Sequence, residues 1–323
     1  MADFAHTETD NLIDVLEHKI KGEYAAAMHT IQAILAENEA AFKIEDAKKK
    51  ATLSKTEYKR WRMAQIRQNE QLQDVLDEIC AEYEKAHLGA QIAAVGAMGE
   101  AFALNTNYAV YTLSVQSMVD ISFSIYDKNT VDILKKHPKL LPTTKGQQLG
   151  LYRQWNRKKV SQAVETTIRK GEDMRKLAKR LREVAGMEQG ADIRNARTAV
   201  TAAENMGRQE GYKVASDAGL KVKKQWIATL DMRTRHDHRM ADGQIVDFDK
   251  PFKVGGYDML EPADPNSDAP ASEIYNCRCC SAPAFAGYAK KATDLPLSPK
   301  LRGMTYDEWR KSKPVYRRKK AKK

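Results

Sequence analysis

The residues best equipped for chemistry crowd into one stretch, Trp226 to Cys280. It holds His236, His238, an Asp242-Gly243 pair and three of the four cysteines, Cys277, Cys279 and Cys280. Imidazole nitrogen and thiolate sulfur are the donors that zinc prefers. One reading therefore sets His236, His238, Cys277 and Cys279 around a tetrahedral zinc. If H-x-H lies in a strand, both rings fall on one face. The spacing is C-x-C-C and H-x-H, not the C-x-x-C and H-x(3–5)-H of a finger. A second reading stands beside the first: the cysteines are small buried apolar residues, and the histidines are hydrogen-bonded or solvated. A third makes His236, Asp237 and His238 the ligands or acid–base pair of a metal-dependent hydrolase. No obvious nucleophile or partner base accompanies them.

Other residues of the stretch read as positioning groups. Asp231 with Arg233 and Arg235 predicts charge-assisted hydrogen bonds that tie a strand end to the returning Asn276-Cys277-Arg278-Cys279 segment. Asn276 and Arg278 would fix that loop. Asp242-Gly243 is a hairpin signal, because Gly accepts positive φ. Pro262, Pro265 and Pro270, interleaved with Asp264, Asn266 and Asp268, mark a long loop between the two halves.

The elements that must hold this stretch are mostly helical in pattern. Leu12, Ile13, Leu16, Ile20, Tyr24, Met28, Ile31 and Leu35 recur at spacings of three and four. Ser54-Lys55-Thr56-Glu57 is a capping-box signature opening a second helix with Tyr58, Trp61, Ile66, Leu72, Val75, Leu76 and Ile79. An antiparallel hairpin follows, and Cys80 reads as a core residue. Residues 88–107 are rich in Ala and Gly and predict a closely packed helix, whereas 108–126 leave helix and strand open. Two amphipathic helices broken at Gly171 follow, through Val160, Val164 and Ile168 and then Met174, Leu177, Leu181 and Val184. Ala191 to Gly219 predicts a further helix. The polar faces carry Arg157, Lys158, Lys159, Arg169, Lys170, Arg175, Lys176, Lys179, Arg180 and Arg182. Such a run is either a solvated face or a contact with a phosphate backbone.

The formal net charge of +11 favours acidic partners such as nucleic acid. Four cysteines in 323 residues are not a disulfide framework. No apolar leader and no membrane-length apolar run are visible, so the chain reads as soluble and cytosolic at synthesis. The C-terminal run with Lys311, Lys313, Arg317, Arg318, Lys319, Lys320, Lys322 and Lys323 has no apolar face to bury. It reads as disordered, and as either a solubilising end or a DNA-binding arm. The predicted fold is mainly α: a long helical hairpin and bundle, a small α+β C-terminal module and a disordered basic tail. The predicted divisions are 1–140, extended helical; 141–220, basic helical; 221–290, the C-terminal module; and 291–323, the tail.

Taken together, Trp226, the Asp231-x-Arg233-Thr234-Arg235-x-x-His238 run, Asp242-Gly243 and Asn276-Cys277-Arg278-Cys279 resemble the phage head morphogenesis family. These are minor head proteins similar to protein F of phage Mu. Upstream, Thr167 to Gly171 with Met174, Leu177 and Leu181 resembles the family's helix–Gly–helix segment. Ala196-Arg197-Thr198, Asn205, Gly207, Arg208 and Tyr212 resemble its next helix. Ala199 stands where a Glu is usual, and Glu204 is the candidate substitute. In some relatives a C-x-x-C occupies the positions of Arg235 and His238; with Arg235 here, an arginine-centred salt-bridge network is the expected equivalent. The resemblance implies a late, portal-associated virion protein in procapsid assembly, acting by binding and not as an enzyme. It would lie inside the head near the portal, and in host cytoplasm during assembly. The implied partners are the portal protein, scaffold or major capsid protein, and double-stranded DNA, with no membrane. No cofactor is implied apart from the candidate zinc. Two alternatives stand: a metal-dependent hydrolase or nuclease delivered with the phage DNA, and a general DNA-binding protein unrelated to heads.

Overall fold

The computed structural model describes residues 3–68, 70–127, 147–170, 172–290 and 294–316, with backbone alone at 39–45, 63, 65–68, 70, 71, 147 and 148. The predicted break at Gly171 and residues 291–293 and 317–323 of the predicted tail lie outside the described residues. The rest of that tail is ordered and not disordered as expected, because Leu295, Leu301 and Trp309 are buried and Tyr306–Ser312 is helical. The chain divides into two compact units. One comprises Glu17–Ala93 and Thr143–Ile193, and the other Met1–Leu16, Ala94–Pro142 and Arg194–Lys323. Three long helices, α1 (Phe4–Thr52), α3 (Glu70–Ser117) and α5 (Met174–Asp217), run through both.

The first unit is a helical bundle. The spacing of three and four on α1 buries Ile20, Tyr24, Ile31 and Leu35. α2 (Lys55–Gln68) opens with the predicted capping box: the Glu57 amide donates to Ser54 Oγ at 3.3 Å, and the Ser54 amide to Glu57 Oε2 at 3.0 Å. α4 (Gln147–Lys170) buries Val160, Val164 and Ile168, and α5 buries Leu177, Leu181 and Val184. The two helices predicted over Met174–Val184 and Ala191–Gly219 are one helix of 44 residues. Gly186 and Gly190 meet only open space there. Each costs about 1 kcal/mol of helix propensity, too little to break a helix whose apolar face is packed.

The second unit carries the sheet. β1 (Leu220–Ile227) is the central strand, flanked antiparallel by β2 (Ile245–Asp247) and β5 (Cys280–Tyr288), with Gln225 opposite Ile245 and Trp226 opposite Ser281. Leu220, Val222, Lys224 and Trp226 alternate inward. β3 (Phe252–Val254) and β4 (Tyr257–Met259) form a hairpin whose turn glycines, Gly255 and Gly256, both have positive φ. The short helices α6 (His236–Ala241), α7 (Ala271–Ile274) and α8 (Tyr306–Ser312) complete it. The ambiguous stretch after Tyr108 stays helical to Ser117 and ends at Met118, which has φ 55°. Val110, Leu113, Val119, Ile121, Tyr212, Leu220 and Trp309 share one core. α5 approaches α3 closely here: a methyl group on Gly207 would collide with the Phe102 carbonyl, and one on Gly211 would lie 2.6 Å from Ala109 Cβ.

The Asp242-Gly243 expectation needs correction. Gly243 does take positive φ, at 79°. The pair joins α6 to β2, however, and is not a two-residue turn between strands. The connection from β1 to β2 runs over 228–244 and contains α6, which gives the loop room to reach the Cys277–Cys280 segment.

Candidate functional site

The site is built where β1 ends, β5 begins and α6 lies between them in sequence. His238, on the inner face of α6, is 2% exposed in its side chain. Its Nδ1 lies 3.4 Å from Cys279 Sγ and 3.6 Å from Cys277 Sγ. Its Nε2 lies 3.1 Å from Glu273 Oε2, an ion-pair distance with bent geometry. The Trp226 ring packs edge-on against His238 at 5.5 Å and against Phe252 at 5.3 Å. The Cys277 sulfur accepts from the Cys279 thiol and amide, which pulls Cys277 below the usual thiol range and pushes Cys279 above it.

The donor set suits a metal in part. A tetrahedron with bonds of 2.0–2.3 Å has edges of roughly 3.5 Å, and the two nitrogen–sulfur separations match. His238, Cys277 and Cys279 offer ligand atoms within 4.8 Å of one another. His236 does not join them, which corrects the four-ligand expectation. H-x-H sits on a helix, where i and i+2 point to opposite sides, and His236 is exposed.

The polar tie between the two halves also differs from the expected one. Asp231 is held by Arg278, whose guanidinium donates twice to the carboxylate at 2.6 and 2.7 Å. This bidentate pair holds the Asp231 carboxyl far below the usual range. Arg233 lies 3.5 Å away and is mostly exposed. Arg235 donates to the Tyr275 carbonyl instead of forming an ion pair. The arginine at the centre of the network is thus Arg278, because only the strand return brings it over the Asp231 loop. Asp242 accepts from the Ala228 amide at 2.8 Å, and Asn276, at φ 55°, donates its amide to Thr198 Oγ1 at 3.0 Å.

α5 reads the start of β5 through its own polar residues. The Asn205 amide group donates to the Cys279 carbonyl at 3.1 Å and accepts from the Ser281 amide at 2.9 Å, like one more rung of a sheet. Arg208 Nη1 donates to the Ser281 carbonyl at 2.8 Å, and the Tyr212 hydroxyl reaches the same oxygen at 3.1 Å. Arg208 also pairs with Asp3 and Glu204, and Glu204 Oε1 lies 2.8 Å from His6 Nδ1. Glu204 is thus a buried acid of this helix. It offsets the burial cost of a His6 imidazolium and, with Cys280, raises that ring to about 11.

Sequence reasoning missed Glu273, His6 and Asp3, which carry no local signal. It also missed Lys224, which did carry one: a lysine at an inward position of an alternating strand. Lys224 is fully buried, donates to the Leu260 carbonyl at 2.6 Å and lies over Phe252 at 5.1 Å. Burial lowers it to about 8, and the neighbouring buried Glu261 is pushed up to about 8.

Residues 158–282 match the family described as Phage Mu protein F like protein. The minor head protein GP7 of Bacillus phage SPP1 is 33% identical over 122 residues, covering 33% of this chain and 38% of that protein. The NAD(+)–arginine ADP-ribosyltransferase EFV of Enterococcus faecalis is 26% identical over 200 residues, covering 62% of this chain and 40% of that protein. An uncharacterized protein of Haemophilus influenzae is 24% identical over 214 residues, or 63% and 42%. The chain spans about two-fifths of the length of these relatives. No solved structure matches it. The matched segment contains Asn205, Arg208, Tyr212, Trp226, Asp231, His238 and Arg278, so residues 158–282 are similar to the Phage Mu protein F like family, and a phage minor head protein is among the relatives of this chain.

Proposed function

We propose that this chain acts in phage head morphogenesis as a minor head protein, by binding and not by catalysis. One observation carries the reading. The residues behind the resemblance spend their polar groups inside the fold: Asn205, Arg208 and Tyr212 on β5, Asp231 and Arg278 on each other. Such groups brace a surface; they do not face a substrate. On this reading residues 1–140 contact portal or scaffold, and the basic residues of 141–220 and 291–323 contact DNA. The 221–290 module presents a rigid loop on which Leu230 and Met232 are 66% and 95% exposed. That loop suits an apolar recess on another head component, inside the virion near the portal.

The test is co-purification with the portal protein of the same virus, using the full chain and the Met232→Asp variant. Capture of the full chain but not the variant places the contact on the loop. Capture of both places it elsewhere on the chain, and capture of neither removes the portal from the reading.

The metal-dependent hydrolase reading loses His236, and His238, Cys277 and Cys279 are 2% exposed, closed to a macromolecular substrate. ADP-ribosyl transfer is named for a relative of which this chain covers 40%. A structural zinc is favoured by the separations around His238. His238, Cys277 and Cys279 would hold it, with Glu273 orienting the imidazole and the fourth position filled from outside this set. Bound zinc would supply folding free energy. About one zinc per purified chain, lost in His238→Ala, is the expected result; a metal-free full chain that folds normally ends that reading.

A further inference from the structure

We propose that the first turns of α5 form a binding strip for the phosphate backbone of double-stranded DNA. Arg175, Lys176, Lys179 and Arg182, with Glu183, line one open depression of about 540 Å³. Arg175, Lys179 and Arg182 fall at i, i+4 and i+7, so they share one face of the helix. None of the four has a carboxylate partner among the described residues.

The other arginines of α4 and α5 in the same unit differ. Arg153 pairs with Glu84 at 2.5 Å and Arg180 with Glu172 at 2.6 Å, while Arg157 pairs with Asp77 and Arg169 with Glu165. Among the described arginines of these helices in this unit, acidic partners are thus supplied to Arg153, Arg157, Arg169 and Arg180 and withheld from Arg175 and Arg182. The withholding has a local cost. Like charges at i and i+3 or i+4 destabilise a helix, each pair by about 0.2–0.5 kcal/mol. Cations in a first turn also oppose the helix dipole. A solvated face has no need to carry both penalties, whereas an external polyanion relieves both.

The spacing favours nucleic acid over an acidic protein surface. With a rise of 1.5 Å per residue, the three aligned cations repeat every 4.5–6 Å along the axis. A phosphate strand offers evenly repeated charges at a comparable pitch, with no sequence requirement.

This inference rests on the DNA contact proposed above, and the test separates the two. The full chain is titrated with a short labelled duplex of mixed sequence at rising salt. Arg175→Gln, Lys179→Gln and Arg182→Gln are combined in one variant. The control combines Arg153→Gln, Arg157→Gln and Arg169→Gln, removing three charges that are already paired. Gln keeps helix propensity, and circular dichroism checks that both variants fold. The strip variant is expected to lose roughly 2.7 of the slope of log K against log salt, at about 0.9 per phosphate neutralised, and the control much less. Equal losses, or no loss in the strip variant, overturn the strip while leaving the DNA contact standing. Failure of the full chain to bind duplex overturns both. Displacement of the duplex by polyglutamate as readily as by unlabelled DNA assigns the strip to an acidic protein instead.

Discussion

The β5 junction and the bundle core both bury polar groups, but they satisfy them differently. At the junction, Asn205 uses both ends of its amide, Asp231 is held twice by Arg278, and Arg208 is shared by Asp3, Glu204 and the Ser281 carbonyl. In the bundle, Asp192 accepts from Tyr24 at 2.8 Å and lies 3.0 Å from His87 Nδ1, but its neighbour Glu188 is half served. Glu188 Oε2 accepts from Tyr152 at 2.8 Å, whereas its Oε1 and Asn156 Oδ1 are buried without a partner. Burial, with one donor short, raises Glu188 to about 7. The unpartnered atom among these junction groups is Arg208 Nε, on a guanidinium that stays charged, whereas those in the bundle include a carboxylate oxygen, which can take up a proton.

Arg208→Met breaks the brace most severely. It leaves Glu204 and Asp3 without their cation, and we expect a loss of about 3–5 kcal/mol, read as the shift in denaturation midpoint. If the loss stays under about 1 kcal/mol, the junction is not the brace described here.

Glu188→Gln sharpens the other side. The folded carboxyl holds its proton up to about pH 7, well above the ordinary Glu value of 4.5. Between those two pH values the folded state binds more protons than the unfolded one, so stability falls as pH rises through the window. The variant cannot ionise. It should flatten that slope and gain on the order of 1–3 kcal/mol at pH 8. An unchanged slope in thermal melts from pH 4.5 to 8 would show that Glu188 is not the titrating group.

Asp231→Ala probes the brace at its exposed edge. The lowered carboxyl means the pair with Arg278 contributes above the unfolded Asp value and is lost only as pH falls through the folded one, in strong acid. Without it, amide exchange at Arg233 and Thr234 should rise at neutral pH while the global midpoint moves little. Met232→Asp should have the smallest effect, within about 0.5 kcal/mol, since that side chain is 95% exposed. A larger loss would mean the loop packs against something in the isolated chain.

Local pattern was enough for much of this. The helices followed from apolar spacing, the α2 start from Ser54 and Glu57, and the end of α5 from Gly219, whose φ is 102°. The Trp226–Cys280 stretch stood out because several uncommon residue types fell together. What a residue prefers for its own backbone, and which face it must bury, depend on neighbours a few positions away, so a sequence carries them directly.

Choice of partner was decided elsewhere. Arg278 and not Arg233 or Arg235 took Asp231, 47 residues away; Glu204 took His6 across 198; Asn205 took the backbone of Cys279 and Ser281 across 74 and 76. His236 left the cluster because the six residues His236–Ala241 coil into a helix instead of extending. Whether Lys224 is buried with a carbonyl or left in water likewise depends on where the 260–264 loop comes to rest. Each of these contacts requires two distant segments to arrive at hydrogen-bond distance, and only the packing of α5 on the sheet brings them there.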